Sequence, residues 1–176
     1  TLRSRGLGDV YKRQIRDSKK LTAKKRELIY KDLSSLNIVM AIGQANVEEI
    51  DSLNILNASF LAMERAVISL QKKLSTNIMT ILVDGNRPPK FQKFTGNINF
   101  IPVVGGDNIS LSIATASIIA KQTRDLYMSQ LHLSYPQYSF NKNKGYGTKA
   151  HRIALTECGI TCHHRVSFAP IKALKI

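Results

Sequence analysis

"TILVDGNRPPK", residues 80–90, sets Asp84 at the end of an apolar run and follows it at once with Gly85, Asn86 and a basic stretch carrying Pro88 and Pro89. Two chemistries account for a carboxylate in that place. Asp-Gly after a strand is a common way for a hairpin turn to begin. A carboxylate at the C-terminal mouth of a strand is also where open α/β sheets put their ligands. The run "IMTILV" that leads to Asp84 is β-rich, and a second such run, "INFIPVV", leads to "GGDN", so Asp107 also stands where a strand gives way to a loop or helix. Two carboxylates at neighbouring strand ends suffice for part of a magnesium site, because Mg2+ binds through one or two carboxylates plus substrate phosphates and waters. The alternative makes Asp84 a turn former and Asp107 a helix cap. Residues 80–108 by themselves leave both open.

Before that stretch, Ser18 or Thr22 can cap a helix whose Leu28, Ile29 and Leu33 share a face, and "NIVMAIGQANV", residues 37–47, reads as a strand with Gly43 a bulge or turn. Leu53, Leu56, Phe60, Met63, Val67, Leu70 and Leu74 follow at steps of three and four, the stripe of a core-facing helix. After it, Asp107 or Asn108 is the expected cap of a helix whose Ala114, Ala116, Ser117 and Ala120 allow close packing on a sheet. "SYPQYSF" and the basic loop "NKNKGYGTKAH" lead to a short helix that stops at Gly159. The expected architecture is α/β: a mixed sheet flanked by helices, with a C-terminal helical segment. The sequence has no internal repeat and no low-complexity tract.

A chain of 176 residues with 43% hydrophobic residues is long enough for one core and short for two domains. Its 26 lysines and arginines against 12 acids give a net charge of +14, which calls for an anionic partner, nucleic acid ahead of a membrane surface. No apolar run approaches the roughly 18 to 20 residues of a spanning helix, and no signal peptide is legible. Cys158 and Cys162 are too few for a disulfide framework and fit a reducing, cytoplasmic setting. Cys158, Cys162, His163 and His164 have a superficial zinc look, but Cys162, His163 and His164 are contiguous and poorly suited to surround one tetrahedral ion, so no zinc site is expected. Residues 1–14, "TLRSRGLGDVYKRQ", begin with Thr1 and have no apolar period; they read as a foreign or disordered leader ahead of a single domain, residues 15–176.

"DSKKL" at 17–21, "EIDSLNIL" at 49–56, "LVDGNRPPK" at 82–90, "GGD" at 105–107, "ATASIIAKQTRD" at 114–125, "NKGYGT" at 143–148 and "HHRVSFAP" at 163–170 together resemble ribonuclease HII, the type 2 ribonuclease H family, in that family's order. The resemblance implies a ribonuclease H-like fold and an endonuclease that cleaves the RNA strand of RNA–DNA hybrids, including ribonucleotides embedded in DNA, by metal-assisted attack of water on a phosphodiester. It assigns Asp84 and Asp107 as catalytic ligands of Mg2+ or Mn2+ and Tyr146 as the residue against the ribonucleotide–deoxyribonucleotide junction, where the 2′-hydroxyl separates RNA from DNA. Ser18, Lys19, Lys20, Arg165 and Ser167 look like phosphate contacts. Asp125, about 27 Å along a helix from Asp107, reads as structural, in a salt bridge or at the surface; Lys24, Lys25, Lys72 and Lys73 read as a solvated face and stay unassigned.

The family's Asp-Glu-x-Gly-Arg-Gly strand has no counterpart in these 176 residues. The expectation is therefore a chain incomplete at its N-terminus, without the first two strands of the fold, inactive and poorly stable alone, and a monomer when complete, with no membrane partner. The competing class is a non-catalytic basic protein of the RNA-binding or ribosome-associated type. Net charge fits both; the paired strand-end aspartates and the glycine-flanked tyrosine favour the nuclease.

Overall fold

A computed structural model describes residues 15, 21–36, 38–94, 96–169 and 171–173. The leader assigned to residues 1–14, and Ser18, Lys19 and Lys20, lie outside the described residues. Two compact units divide the chain: Thr1–Ile42 with Val67–Gln122, and Gly43–Ala66 with Thr123–Ile176.

In the first unit, helix α1 (Ala23–Ser35) starts where the Thr22 hydroxyl accepts the Lys25 N–H, so Thr22 is the cap. Ile29 and Leu33 are buried with Ile15, Ala114 and Ile118 in one cluster, whereas Leu28 is exposed and does not share that face. Strands β1 (Thr80–Asp84) and β2 (Asn99–Val103) pair in parallel, Thr80 opposite Asn99 through to Asp84 opposite Val103. Residues 38–46 form no strand, against the sequence reading: a strand is defined by a laddered neighbour, and the described sheet consists of β1 and β2 alone.

Helix α2 (Val47–Gln71) begins on a reciprocal pair, Asn46 Oδ1 accepting the Glu49 N–H at 2.8 Å and Glu49 Oε2 accepting the Asn46 N–H at 2.9 Å. At Asn54 the backbone leaves the helical region, with φ 67° and ψ 164°, and the Asn54 side chain re-caps the chain by accepting from Leu56 and Asn57 N–H. That break shifts the helical phase. The expected continuous core stripe is therefore only partly right: Leu53, Leu56 and Met63 are exposed, Leu74 lies beyond the helix end, and the buried positions are Ala58, Glu64 and Val67. The helix is also long and apolar enough, by length and composition, to cross a membrane, which the sequence reading had not found. Charge argues against that use, since Glu64 and Arg65 sit within it and Arg65 pairs with Glu49 at 2.5 and 2.7 Å. Gly43 makes no bulge; a Cβ there would lie 1.9 Å from the Ala62 carbonyl oxygen, so only glycine lets the chain approach α2 this closely.

Helices α3 (Gly106–Ile109) and α4 (Leu111–Ser134) follow β2. The cap of α3 is Gly105 at φ 65°, not Asp107 or Asn108, which lie inside the helix. Of the small residues on α4, Ala114 is fully buried but against Ile29, Leu33 and Ile118, while Ala116 and Ala120 are exposed. Asp125 is buried, so the surface alternative does not hold. In the second unit, the 3-10 turn Pro136–Tyr138, α5 (Phe140–Asn143) and α6 (Lys149–Cys158) surround a core of Met128, Tyr138, Phe140, Ala154, Leu155 and Ile171. Tyr138 is buried, and its hydroxyl donates to the Cys158 and Gly159 carbonyls at 3.2 and 2.9 Å, which ties the end of α6 to this core.

Candidate functional site

In the first unit the parallel pairing of β1 and β2 removes the hairpin reading of Asp84-Gly85, because the chain after Asp84 does not fold straight back. Instead the Gly85 N–H donates to the Val103 carbonyl at 3.0 Å and extends the ladder one step past Asp84. Both strands thus end side by side, and the turn after β2 brings Gly106 to Asp84, whose Oδ1 accepts the Gly106 N–H at 2.8 Å. Glycine is required at 106: a Cβ there would meet Ile113 Cδ1 at 2.5 Å, Val103 Cβ at 3.3 Å and Asp84 Oδ1 at 3.4 Å. The next residue is Asp107, 3% exposed, with its Oδ1 also accepting from Asn108 Nδ2 at 3.3 Å. One carboxylate is exposed and anchored by a backbone amide; the other is buried one residue beyond that amide. Oxygen donors of this kind suit a hard divalent cation and leave coordination positions for waters or phosphate. Among the described residues no three His, Cys, Asp or Glu side chains gather as a metal group.

In the second unit Tyr146 is 68% exposed, so its ring does not plug the loop onto the core. The loop that carries it is held from within. Buried Asn143 donates to the Tyr138 carbonyl at 2.6 Å and accepts the Gly145 N–H at 2.8 Å, and the Tyr146 N–H donates to the Asn143 carbonyl at 2.8 Å. Lys144 donates to the Asp125 carbonyl at 3.2 Å and to Ser129 Oγ at 2.9 Å, binding the loop to α4. Sequence reasoning missed Asn143 and Lys144; both stand inside the quoted "NKGYGT", next to the residue it did select.

Arg165 and Ser167 lie on the turn before the last short helix. The Arg165 guanidinium stacks over the Phe168 ring at 3.9 Å. Burial, then the neighbouring Arg124 charge, lowers its pKa from the usual arginine value, and Asp51 acts in the opposite direction. Ser167 is engaged with Asp51: both its N–H and its hydroxyl donate to Oδ1, and the Val166 N–H donates to Oδ2 at 2.9 Å. Slight burial works to raise the Asp51 pKa, but the hydrogen bonds from Ser167 and Val166 and the Arg165 charge outweigh it, and the carboxyl is held below the ordinary aspartate value. The sequence reading gave Asp51 no role, although it sits in "EIDSLNIL".

Cys158 and Cys162 are exposed free thiols. His164 is buried, its Nδ1 accepting the Thr161 N–H at 2.9 Å and its ring stacked on His151 at 5.4 Å.

Helices with a short parallel sheet make this a mixed α/β chain, with Asp84 ending one strand and Asp107 following the other. The fold is that of a crystal structure of ribonuclease H2 from Pyrococcus horikoshii OT3, matched with a TM-score of 0.71 over 98% of this chain and 82% of that one, at 20% identity. The sequence pattern of the Ribonuclease HII family matches residues 9–171. Ribonuclease HII of Ehrlichia chaffeensis (strain ATCC CRL-10679 / Arkansas) is 51% identical over 160 residues, covering 91% of this chain and 72% of the relative. Ribonuclease HII of Wolbachia pipientis subsp. Culex pipiens (strain wPip) is 49% identical over 160 residues, covering 91% and 76%. The chain belongs to the ribonuclease HII family, and its chemistry is that of a ribonuclease H-type endoribonuclease.

Proposed function

We propose that the protein hydrolyses the RNA strand of RNA–DNA hybrids, and DNA at embedded ribonucleotides, with Asp84 and Asp107 as ligands of Mg2+ or Mn2+. The observation that carries this reading is the Gly106 N–H donating to Asp84 Oδ1, which holds the exposed carboxylate that ends β1 against the residue before buried Asp107, in the turn that follows β2. A cation held there supplies activation of water and charge stabilisation at a phosphodiester. The chain's own residues do the rest. The Gly106 amide fixes Asp84 Oδ1 and so orients the carboxylate, and the burial of Asp107 limits its motion. Exposed Tyr146 offers a ring to pack on a sugar and a hydroxyl for a 2′-OH. Arg165, with Ser18, Lys19, Lys20 and Ser167, sets the register on the phosphate backbone, for which the +14 charge provides long-range attraction. The working setting is the cytoplasm, with nucleic acid and not a membrane as partner.

Manganese binding tests the metal assignment directly. Isothermal titration of the parent chain should show Mn2+ binding, and Asp84→Asn and Asp107→Asn should each weaken it by about tenfold or more, since each removes a charged ligand from a site with few. Hybrid affinity measured in Ca2+ should stay within about twofold of the parent, because it rests on the basic contacts. An isotherm unchanged by both substitutions overturns the assignment.

A further inference from the structure

We propose that Asp51 is a positioning residue for nucleic-acid backbone binding, its carboxylate fixing the Arg165–Ser167 turn in the shape that offers Arg165 to a phosphate. The inference rests on the reading of Arg165 as a phosphate contact. Val166 and Ser167 N–H groups and the Ser167 hydroxyl all donate to this one carboxylate, from a segment 115 and 116 residues further along the chain. Two successive amides and a hydroxyl, shared between the two oxygens of one carboxylate, form the kind of donor nest that binds anions. Here the chain fills the nest with its own carboxylate.

The turn is closed by one backbone bond of its own, the Phe168 N–H donating to the Arg165 carbonyl at 3.2 Å, and Asp51 adds the side-chain bonds. Val166 is 51% exposed and Ser167 is exposed, so apolar burial does not fix the backbone at these two positions. Arg165 immediately precedes the nest, and its guanidinium lies over Phe168 one residue beyond it, so both ends of the stacked pair are set by a turn that Asp51 organises. Stacking uses a guanidinium face and leaves the N–H edge to meet a phosphate oxygen. Asp51 also stands near enough to temper the repulsion between Arg165 and Arg124. The Ser167 hydroxyl, whose proton goes to Asp51, then serves the substrate through the turn more than by direct contact.

The test is anisotropy of a fluorescein-labelled RNA–DNA hybrid with the full chain in Ca2+ across a KCl series, with urea midpoints measured in parallel. Arg165→Ala should weaken binding by roughly tenfold and reduce the slope of log affinity against log salt by about one contact. Asp51→Asn, which replaces two carboxylate acceptors by one acceptor and an amide donor, should weaken it by about fivefold with the same change of slope. The double variant should bind within about twofold of Arg165→Ala alone, since both act through one contact. Ser167→Ala, which keeps both amides, should weaken binding by about two- to threefold and also vanish on the Arg165→Ala background; it carries the comparison if Asp51→Asn fails to fold. Parent-like binding by Arg165→Ala overturns the underlying phosphate-contact reading. A weakened Arg165→Ala with parent-like Asp51→Asn and Ser167→Ala, with additive double variants, or with a lowered urea midpoint and an unchanged salt slope, overturns the role given to Asp51.

Discussion

Tyr146 shows how one side chain can be mobile in chemistry and fixed in place. Its backbone N–H is bonded to the Asn143 carbonyl and its carbonyl to the Thr148 N–H, both at 2.8 Å, while the ring stands in solvent. An aromatic held out in water by a rigid loop contributes nothing to a core, so its removal should cost stability little, within about 0.5 kcal/mol for an exposed site. Its expected loss is discrimination. With a duplex carrying one ribonucleotide compared with the same duplex in all-DNA form, Tyr146→Ala should lower the affinity ratio by about tenfold, the scale of one base- or sugar-stacking contact. Tyr146→Phe should lower it by about threefold, because the ring stays and only the hydroxyl's bond to a 2′-OH goes. Competition binding in Ca2+ reads both. Equal losses on the two duplexes would assign the ring to general affinity and not to recognition of RNA.

At the level of elements, the aspartate pair depends on how closely α3 can follow β2. Gly106→Ala puts a methyl 2.5 Å from Ile113 Cδ1 and 3.3 Å from Val103 Cβ. Ile113 can rotate in part, but Val103 belongs to the strand, so the expected cost is about 1 to 3 kcal/mol by urea unfolding. The same methyl faces Asp84 Oδ1, and Mn2+ affinity should fall along with stability; an alanine variant with parental stability and metal affinity would show that the turn yields to a methyl at 106 without strain. Sequence alone made Asp84 and Asp107 candidates because each ends an apolar β-rich run, and that signal is local. Tyr146 between two glycines is unremarkable by itself, and it was singled out through the family resemblance of "NKGYGT". Asp51 stayed hidden because its partners are 115 and 116 residues away, and no local pattern encodes a carboxylate filled by a remote turn. The stripe on α2 was misread for a different reason: seven correctly spaced apolar residues presuppose one unbroken helix, and Asn54 resets the phase. Residues 37–47 had strand composition without a described neighbour to ladder with, and composition cannot report that.

At the scale of the molecule, the described residues draw stability from two cores, one around Ala114 and Ile118 and one around Tyr138 and Phe140. Against the rings of the second packs His164, a buried imidazole. His164 is 6% exposed, its ring lies 4.9 Å from that of Tyr138, and its Nδ1 accepts a hydrogen bond that only an unprotonated Nδ1 can accept. Its Nε2 is buried without a hydrogen-bond partner among the described residues, so a charged ring has no compensating acceptor there. Burial first, and then the nearby His151, lower its pKa from 6.5 to about 4. In the unfolded chain the same imidazole takes up its proton near pH 6.5. Between these two values the unfolded state binds more protons than the folded one, so stability must fall as pH drops through that window and is fully present above it. Urea unfolding from pH 7.5 to pH 4 should show the loss. Carboxylates of the unfolded chain take up protons in an overlapping interval, which makes His164→Phe the informative comparison: a ring of similar shape keeps the tilted contacts with Tyr138 and Phe140 and cannot take up a proton. The variant should lose less stability across the window than the parent, by the linkage of up to about one proton. Parallel curves for the two proteins would mean that His164 is charged or solvated in the folded state, and that the acid sensitivity of this core lies elsewhere.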